Sequence, residues 1–116
     1  MNRSLLQRGD IVLTDFAPAR EGEANFTRPA IVVTNNQANI VAPVISVVPL
    51  TSNVERVYPM QLFLPSDQTG LDRDSKAQIE LLRHVAISRL RKVIARVPEV
   101  FMLELDSKIK DHLALK

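Results

Sequence analysis

Short runs of β-branched and other apolar residues, broken by turn-forming residues, dominate the first hundred positions of the chain. Apolar runs of this length between Gly, Pro, Asn or Asp are typical of β-strands. The polar residues 17–27 are predicted to form a loop, and residues 87–90 a single helical turn. We predict strands over residues 10–16, 29–34, 43–50, 60–64, 78–85 and 92–97. The pattern therefore indicates a mainly β domain.

The end of the chain has a helical periodicity instead. Pro98 suits the first position of a helix, and Glu99 favours the positive end of the helix dipole. Apolar residues then recur every fourth position, at Phe101, Leu105, Ile109 and Leu113. A single apolar stripe on an otherwise charged helix packs against a core. We predict that this helix closes one side of a strongly bent sheet or small barrel.

The length of 116 residues leaves room for a single domain, residues 1–116, with one core. No apolar run approaches the roughly 20 residues of a membrane span, and the absence of cysteine excludes disulfides and thiolate metal sites. His84 and His112 lack spaced partners, so they do not indicate a zinc site. The aspartates between residues 67 and 74 are read as a solvated loop. We expect a cytoplasmic protein that contacts no membrane and uses neither metal nor cofactor.

Positive charge is concentrated in residues 83–96, which contain five basic side chains and no acid. Arginine outnumbers lysine ten to five in the whole chain, and guanidinium is the better group for binding phosphate with two hydrogen bonds. A basic stretch of this kind fits a phosphate-facing surface. It equally fits a solvated strand and turn, and charge alone does not choose between the two.

A series of short motifs has the order and spacing of a known family. The motifs are RGDIV at 8–12, the acidic GE at 22–23, RPAIVVTN at 28–35, VPLTS at 48–52, TGL at 69–71 before DS at 74–75, ELLR at 80–83 and SRL at 88–90. Over residues 8–105 the chain resembles the MazF/PemK (Kid) toxins of type II toxin–antitoxin systems. The resemblance implies a small SH3-like barrel of antiparallel strands with a C-terminal α-helix, of the CcdB/PemK-like kind.

The resemblance also implies an activity and partners. Members of the family cleave single-stranded RNA within short base motifs without a metal, leaving a 2′,3′-cyclic phosphate and a 5′-hydroxyl. They act as homodimers whose RNA groove crosses the dimer interface. A cognate antitoxin protein holds them inactive. No cofactor is implied.

The family's functional positions are matched here residue by residue. Arg28 and Thr51 match catalytic positions, and Glu23 matches the acidic position of the first loop, where it serves as general base or contacts a nucleotide. A guanidinium stabilises charge that grows on phosphate oxygens. The resemblance also implies that Glu80 and Arg83 lie on the wall of the RNA groove. Phe26 and Ser52 are further candidate RNA-binding residues.

Some features depart from the family or admit other interpretations. Leu81 stands where glutamine is usual and Ala86 where aspartate is usual, so the recognised base motif is left open. Phe26 lies in a loop that lacks the usual Ser and Gln, and it offers a stacking face for a base. Glu80 and Arg83 also fit a cross-strand ion pair. The alternative function is a CcdB-like toxin that binds DNA gyrase and cleaves no RNA, and an inactive interaction domain is a third possibility.

Overall fold

The computed structural model describes all residues, 1–116, and has seven strands and three helices. Single 3-10 turns lie at Arg3–Leu5, Ile79–Leu81 and Ile87–Arg89. The predicted class, mainly β with a C-terminal helix, is confirmed. The elements are β1 (Asp10–Asp15), β2 (Thr27–Val32), α1 (Asn36–Val41), β3 (Val44–Thr51), β4 (Gln61–Leu64), α2 (Ser66–Thr69), β5 (Ser75–Gln78), β6 (Arg83–Ala86), β7 (Leu90–Arg96) and α3 (Glu99–His112).

All strands join one antiparallel sheet in the order β4-β5-β3-β2-β1-β7, with β6 also paired to β3. Gly9, at φ +95°, forms the turn that leads into β1. β1 lies between β2 and the last strand, β7, and its ladder with β7 is interrupted by two register shifts. No helix is long and apolar enough to cross a membrane.

Two strands share one edge of β3. β6 pairs with its first half, Val44 to Val47, and β5 pairs with its end at Leu50 and Thr51. Between these segments lies Pro49, which has no N–H to donate to a neighbouring strand. The chain crosses this gap in the 3-10 turn Ile79–Leu81. The predicted continuous strand over residues 78–85 is therefore wrong, because two separate strands flank a turn.

Apolar side chains form a cluster on each face of the central strands, in place of the single core predicted. Alternate residues of β1 to β3 point to opposite faces. One cluster contains Ile11, Ile31, Val48, Leu50, Leu62, Leu64, Ala77, Ile79, Val97, Met102 and Leu105. The other contains Leu6, Val12, Phe16, Ala24, Ala30, Val32, Ile45, Val47, Val85 and Leu90. The sheet is thus buried on both faces.

The C-terminal helix covers the first cluster, as predicted. Leu105 and Met102 are buried, and Phe101 and Ile109 pack against the same cluster. The helix ends at His112, so Leu113 lies beyond it and is exposed. The last residue of the predicted stripe is therefore wrong, because the helix ends one residue before it.

Two short helices occupy segments for which no helix was predicted. α1 begins after Asn35, whose side chain accepts a hydrogen bond from the Ala38 N–H at 2.8 Å. α2 contains Asp67, the first of the aspartates predicted to be solvated. All three of these aspartates, Asp67, Asp72 and Asp74, are exposed.

Candidate functional site

A cleft of about 590 Å³ lies where β2 and β3 run side by side. Ala30 pairs with Pro49, and extending this antiparallel register by two residues places Arg28 across from Thr51. Three of the predicted site residues, Arg28, Thr51 and Ser52, thus line the same cleft. The cleft is lined by Leu13, Arg28, Pro29, Leu50, Thr51, Ser52, Gly70, Leu71, Asp72, Arg73, Ser75, Lys92 and Ile94.

Arg28 is held at the start of β2 by its neighbours. Pro29 restricts the preceding residue to an extended backbone, which directs the side chain of Arg28 across the sheet. Its Nη1 donates a hydrogen bond to Oε1 of Gln78 at 3.2 Å. No carboxylate forms an ion pair with this guanidinium. Most of its N–H donors are therefore available to an anion.

Thr51 is the last residue of β3 and leaves its hydroxyl free to donate. Its Oγ1 accepts a hydrogen bond from the Asn53 N–H at 3.2 Å, a contact that does not use the hydroxyl proton. Thr51 pairs with Lys76 of β5. Ser52 follows it and is exposed at the rim of the cleft. Thr51 and Ser52, two hydroxyl residues in succession, therefore line the same cleft as Arg28.

Glu23 and Phe26 lie in the loop between β1 and β2 and do not line this cleft. The carboxylate of Glu23 accepts a hydrogen bond from the Arg20 N–H at 2.6 Å. Phe26 has a left-handed backbone at φ +64° and a side chain that is 71% exposed. Ala24, between them, is buried in a core cluster. The loop is thus anchored at its middle while both predicted site residues face solvent.

Glu80 and Arg83 also lie outside the cleft and do not form the ion pair considered above. Glu80 sits in the turn between β5 and β6, where its carboxylate accepts a hydrogen bond from Nε2 of Gln61 at 2.6 Å. The guanidinium carbon of Arg83 lies 5.7 Å from the centre of the Phe16 ring. The ion-pair interpretation fails because the turn separates the two residues.

The basic stretch of residues 83–96 is divided between several roles. Of its cations, only Lys92 lines the cleft. Arg91 and Arg96 form ion pairs with Asp15 and Asp10, at 3.0 Å and 2.7 Å. Arg89 donates to the backbone oxygen of Asp15 at 3.2 Å. Most of these cations therefore fasten β7 to β1 and to the loop that follows β1.

The pKa of the Asp15 carboxyl is lowered from its ordinary value of 3.8. The main cause is the Ala17 N–H, which donates a hydrogen bond to the carboxylate at 3.0 Å. The hydrogen bond and the charge of Arg91 act in the same direction. Because both favour the ionised form, Asp15 fixes the first residues of the β1–β2 loop.

Several polar residues near the cleft were missed from the sequence. Gln78 accepts a hydrogen bond from Arg28, and Gln61 donates one to Glu80. Lys76 is the strand partner of Thr51. β5 was not predicted as a separate strand, so the shared face of Lys76 and Gln78 was not recognised. The alternation of Lys76 and Gln78 about the buried Ala77 is the signal that identifies it. No group of three or more His, Asp or Glu side chains lies close enough together to hold a metal ion.

The fold is that of the small MazF toxins. MazF from Deinococcus radiodurans superimposes with a TM-score of 0.84 at 23% identity, covering 95% of this chain and 97% of that chain. A mycobacterial endoribonuclease solved in complex with its cognate antitoxin superimposes with a TM-score of 0.76 at 19% identity, covering 100% and 98%.

Sequence similarity gives the family. The family described as PemK-like, MazF-like toxin of type II toxin-antitoxin system matches residues 7–113. Endoribonuclease MazF9 of Mycobacterium tuberculosis is 46% identical in an alignment of 116 positions that covers 96% of this chain and 98% of that protein. This chain belongs to the PemK/MazF family of type II toxins.

Proposed function

We propose that this toxin is an endoribonuclease that cleaves single-stranded RNA without a metal ion, leaving a 2′,3′-cyclic phosphate and a 5′-hydroxyl. The observation that carries the proposal is the position of Arg28 and Thr51 on neighbouring strands in the wall of one cleft. Its relatives named endoribonuclease and its own family support the same activity. They favour it over the CcdB-like, gyrase-binding alternative.

The proposed reaction is an intramolecular phosphoryl transfer. The ribose 2′-oxygen forms a bond to phosphorus and the bond to the 5′-oxygen breaks, so holding the nucleotide in line lowers the barrier substantially. The 2′-hydroxyl proton leaves to a base, and the departing 5′-oxygen takes up a proton. The guanidinium of Arg28 donates to the phosphate oxygens on which negative charge grows. The hydroxyl of Thr51 donates to a phosphate oxygen or orients the leaving group.

Glu23 is proposed either as the base or as a nucleotide contact. Its carboxylate is exposed on the β1–β2 loop, so a nucleotide bound over the cleft can approach it from solvent. A Glu23→Gln variant separates the two roles. Loss of the acidic limb of the pH–rate profile identifies a base, whereas an unchanged profile with a raised KM identifies a contact.

We propose Phe26, Ser52, Glu80 and Arg83 as residues of the RNA groove. Three of them, Phe26, Ser52 and Glu80, are exposed, and Arg83 is half-buried. Leu81, which replaces the glutamine usual in the family, packs against a core cluster. It therefore supplies no hydrogen bond to a base edge, and the base motif recognised here differs accordingly.

The direct test is incubation of the purified protein with single-stranded RNA and with single-stranded DNA in EDTA. We expect RNA to be cut and DNA to remain intact, because the attacking group is the 2′-hydroxyl. The product ends should be a cyclic phosphate and a 5′-hydroxyl. Arg28→Ala protein, purified in parallel, controls for contaminating nucleases. A requirement for added divalent metal would refute the mechanism.

We propose that the active form is a homodimer with the RNA groove at the interface of the two subunits. A barrel of 116 residues buries only a modest fraction of its surface by itself. The mass in solution should be about twice the 13.0 kDa of the chain. A fully active monomer at micromolar concentration would contradict this arrangement.

We propose that a cognate antitoxin binds the toxin in the cytoplasm and covers the groove. A relative of the same fold was solved in complex with its cognate antitoxin. The unpaired guanidinium of Arg28 and the ammonium of Lys92 favour an acidic segment. Association should slow with added salt, while dissociation changes little. A complex that still cuts RNA at the free rate would show that the antitoxin binds elsewhere.

A further inference from the structure

The loop between β3 and β4, residues 52–60, contains the only tyrosine of the chain, Tyr58. Most of the loop has no regular structure, yet its end is held on several sides. The Tyr58 N–H donates to Oε1 of Gln61 at 3.1 Å, and the Gln61 N–H donates to the Tyr58 carbonyl at 2.8 Å. Lys108 of α3 donates to the next carbonyl, that of Pro59, at 2.7 Å. Tyr58 therefore has a fixed position although its side chain is 45% exposed.

The side chain of Lys76 also contacts this loop. Its Nζ donates to the backbone oxygen of Arg56 at 2.5 Å and lies 5.7 Å from the centre of the Tyr58 ring. The residue is only 7% exposed and has no carboxylate within ion-pair distance. Burying an ammonium without a counter-charge is costly. A negatively charged ligand on this surface would offset that cost.

Strand pairing places Lys76 directly next to Thr51. It lies between Thr51 of β3 and Phe63 of β4 in the two ladders of β5. Directly opposed residues of an antiparallel pair point to the same face, and neighbouring strands are about 4.8 Å apart. Thr51, Lys76 and the ring above Lys76 therefore follow one another across one face of the sheet.

Gln61 connects this loop to a predicted RNA-groove residue. Its Oε1 accepts from the Tyr58 N–H, and its Nε2 donates to the carboxylate of Glu80 at 2.6 Å. Gln61 is buried, so neither contact competes strongly with water. Glu80 therefore orients Gln61, which in turn fixes the backbone of Tyr58.

We propose that Tyr58 is a stacking platform for the base of a nucleotide that flanks the cleaved phosphate, with Arg56 at the adjacent phosphate. The Arg56 guanidinium carbon lies 5.8 Å from the centre of the ring, and no carboxylate pairs with it. An exposed aromatic ring beside unpaired cations is the combination that binds single-stranded nucleic acid. Lys76 and Gln61 are positioning residues for this platform. The inference rests on the proposal that RNA occupies the cleft of Arg28 and Thr51.

Tyrosine fluorescence tests the platform directly, because the chain has one tyrosine and no tryptophan. Uncleaved single-stranded polyuridylate and polyadenylate are titrated into Arg28→Ala protein, and binding is followed separately by anisotropy of end-labelled RNA. Stacking should quench the Tyr58 emission in parallel with binding. Emission that stays constant while the anisotropy saturates would overturn the proposal.

Kinetics of the otherwise unmodified protein give a second test. For a long RNA substrate, Tyr58→Ala should lower kcat/KM by roughly 10- to 100-fold, the range for loss of one base–aromatic stack. Tyr58→Phe keeps the ring and should stay within about twofold of the unmodified protein. Val57→Ala, an exposed neighbour in the same loop, is the matched control and should have no effect. Equal losses for Tyr58→Phe and Tyr58→Ala would contradict stacking.

The positioning role is tested with Lys76→Met, which keeps the length of the side chain but removes its charge and hydrogen bond. This variant should reduce the quenching amplitude in the Arg28→Ala background and should add little to the kinetic loss of Tyr58→Ala. If RNA is cut and all Tyr58 readouts are unchanged, the platform is refuted while the nuclease stands. If RNA is not cut at all, the proposed function fails first.

Discussion

The rate loss on replacing Arg28 is the prediction that tests the site most sharply. A guanidinium has five N–H donors, and in this structure only Nη1 forms a hydrogen bond, to Gln78 at 3.2 Å. The remaining donors can contact two phosphate oxygens at once. Arg28→Ala removes all of them, and Arg28→Lys keeps the charge but loses the planar fork. Gln78→Ala removes only the contact that orients the guanidinium.

The expected losses follow from these differences. Removing a donor aimed at developing negative charge costs about 100- to 1,000-fold in rate, so Arg28→Ala should lose at least that factor. Arg28→Lys should lose roughly 10- to 100-fold, since one of two charge-assisted hydrogen bonds is worth about 1.5–3 kcal/mol. A single neutral hydrogen bond is worth about 1 kcal/mol, so Gln78→Ala should lose roughly fivefold.

The assay is single-turnover cleavage of a labelled RNA in EDTA at saturating protein, which isolates the chemical step. Lys92→Ala is the matched control, because Lys92 is a basic residue that lines the same cleft from another strand, β7. It should weaken RNA binding more than it slows the chemical step. Full activity of Arg28→Lys would refute the two-oxygen contact. An equal loss for Lys92→Ala would show that only the summed charge of the cleft matters.

Three further outcomes follow from the fold. Leu105→Ala should lower the free energy of unfolding by about 3–5 kcal/mol. Leu103→Ala, at a position 62% exposed on the same helix, should change it by less than about 0.5 kcal/mol. Equal losses in urea titrations would disprove the assigned burial. Asp15→Asn should lower the free energy of unfolding at pH 7. The difference in this free energy between the two proteins should shrink as the pH falls through and below 3.8, because a carboxyl with a lowered pKa stabilises the fold only while it is ionised. A difference that persists at pH 2 would contradict this. Arg3→Ala should speed amide hydrogen exchange in α1, because the Arg3 side chain donates to the Asn39 and Ala42 carbonyls at the end of that helix; unchanged exchange there would exclude this capping role.

Periodicity predicted the elements that bury a regular face. β1, β3 and α3 were recognised from the sequence because their apolar residues repeat with the period of a strand or a helix. The break between β5 and β6 was not recognised, since it depends on their pairing with β3, which is distant in the sequence. Pro49 creates the gap in the edge of β3, and residues 79–81 cross it. The sequence of residues 78–85 alone therefore does not predict the break.

The site was predictable to the extent that single residues define it. Arg28 and Thr51 were identified from the family motifs, and the structure places them in one cleft. The supporting contacts of Gln78, Gln61 and Lys76 depend on the register of β4 and β5, which the sequence does not reveal. Glu23 and Phe26 stand apart from the cleft because their loop is anchored through Ala24. Bringing them to the RNA requires the loop to move or the nucleotide to extend over it.

The pairing of β1 with β7 has a consequence for how the protein is made. Asp10 near the start of the chain pairs with Arg96 near its end, so β1 lacks one neighbour until most of the polypeptide has been synthesised. Domains with such distant pairings fold slowly, in milliseconds to seconds. α3, which completes one core cluster, is synthesised after all seven strands. The nascent chain should therefore stay unfolded and inactive until β7 and α3 have left the ribosome, and the cleft should form only then.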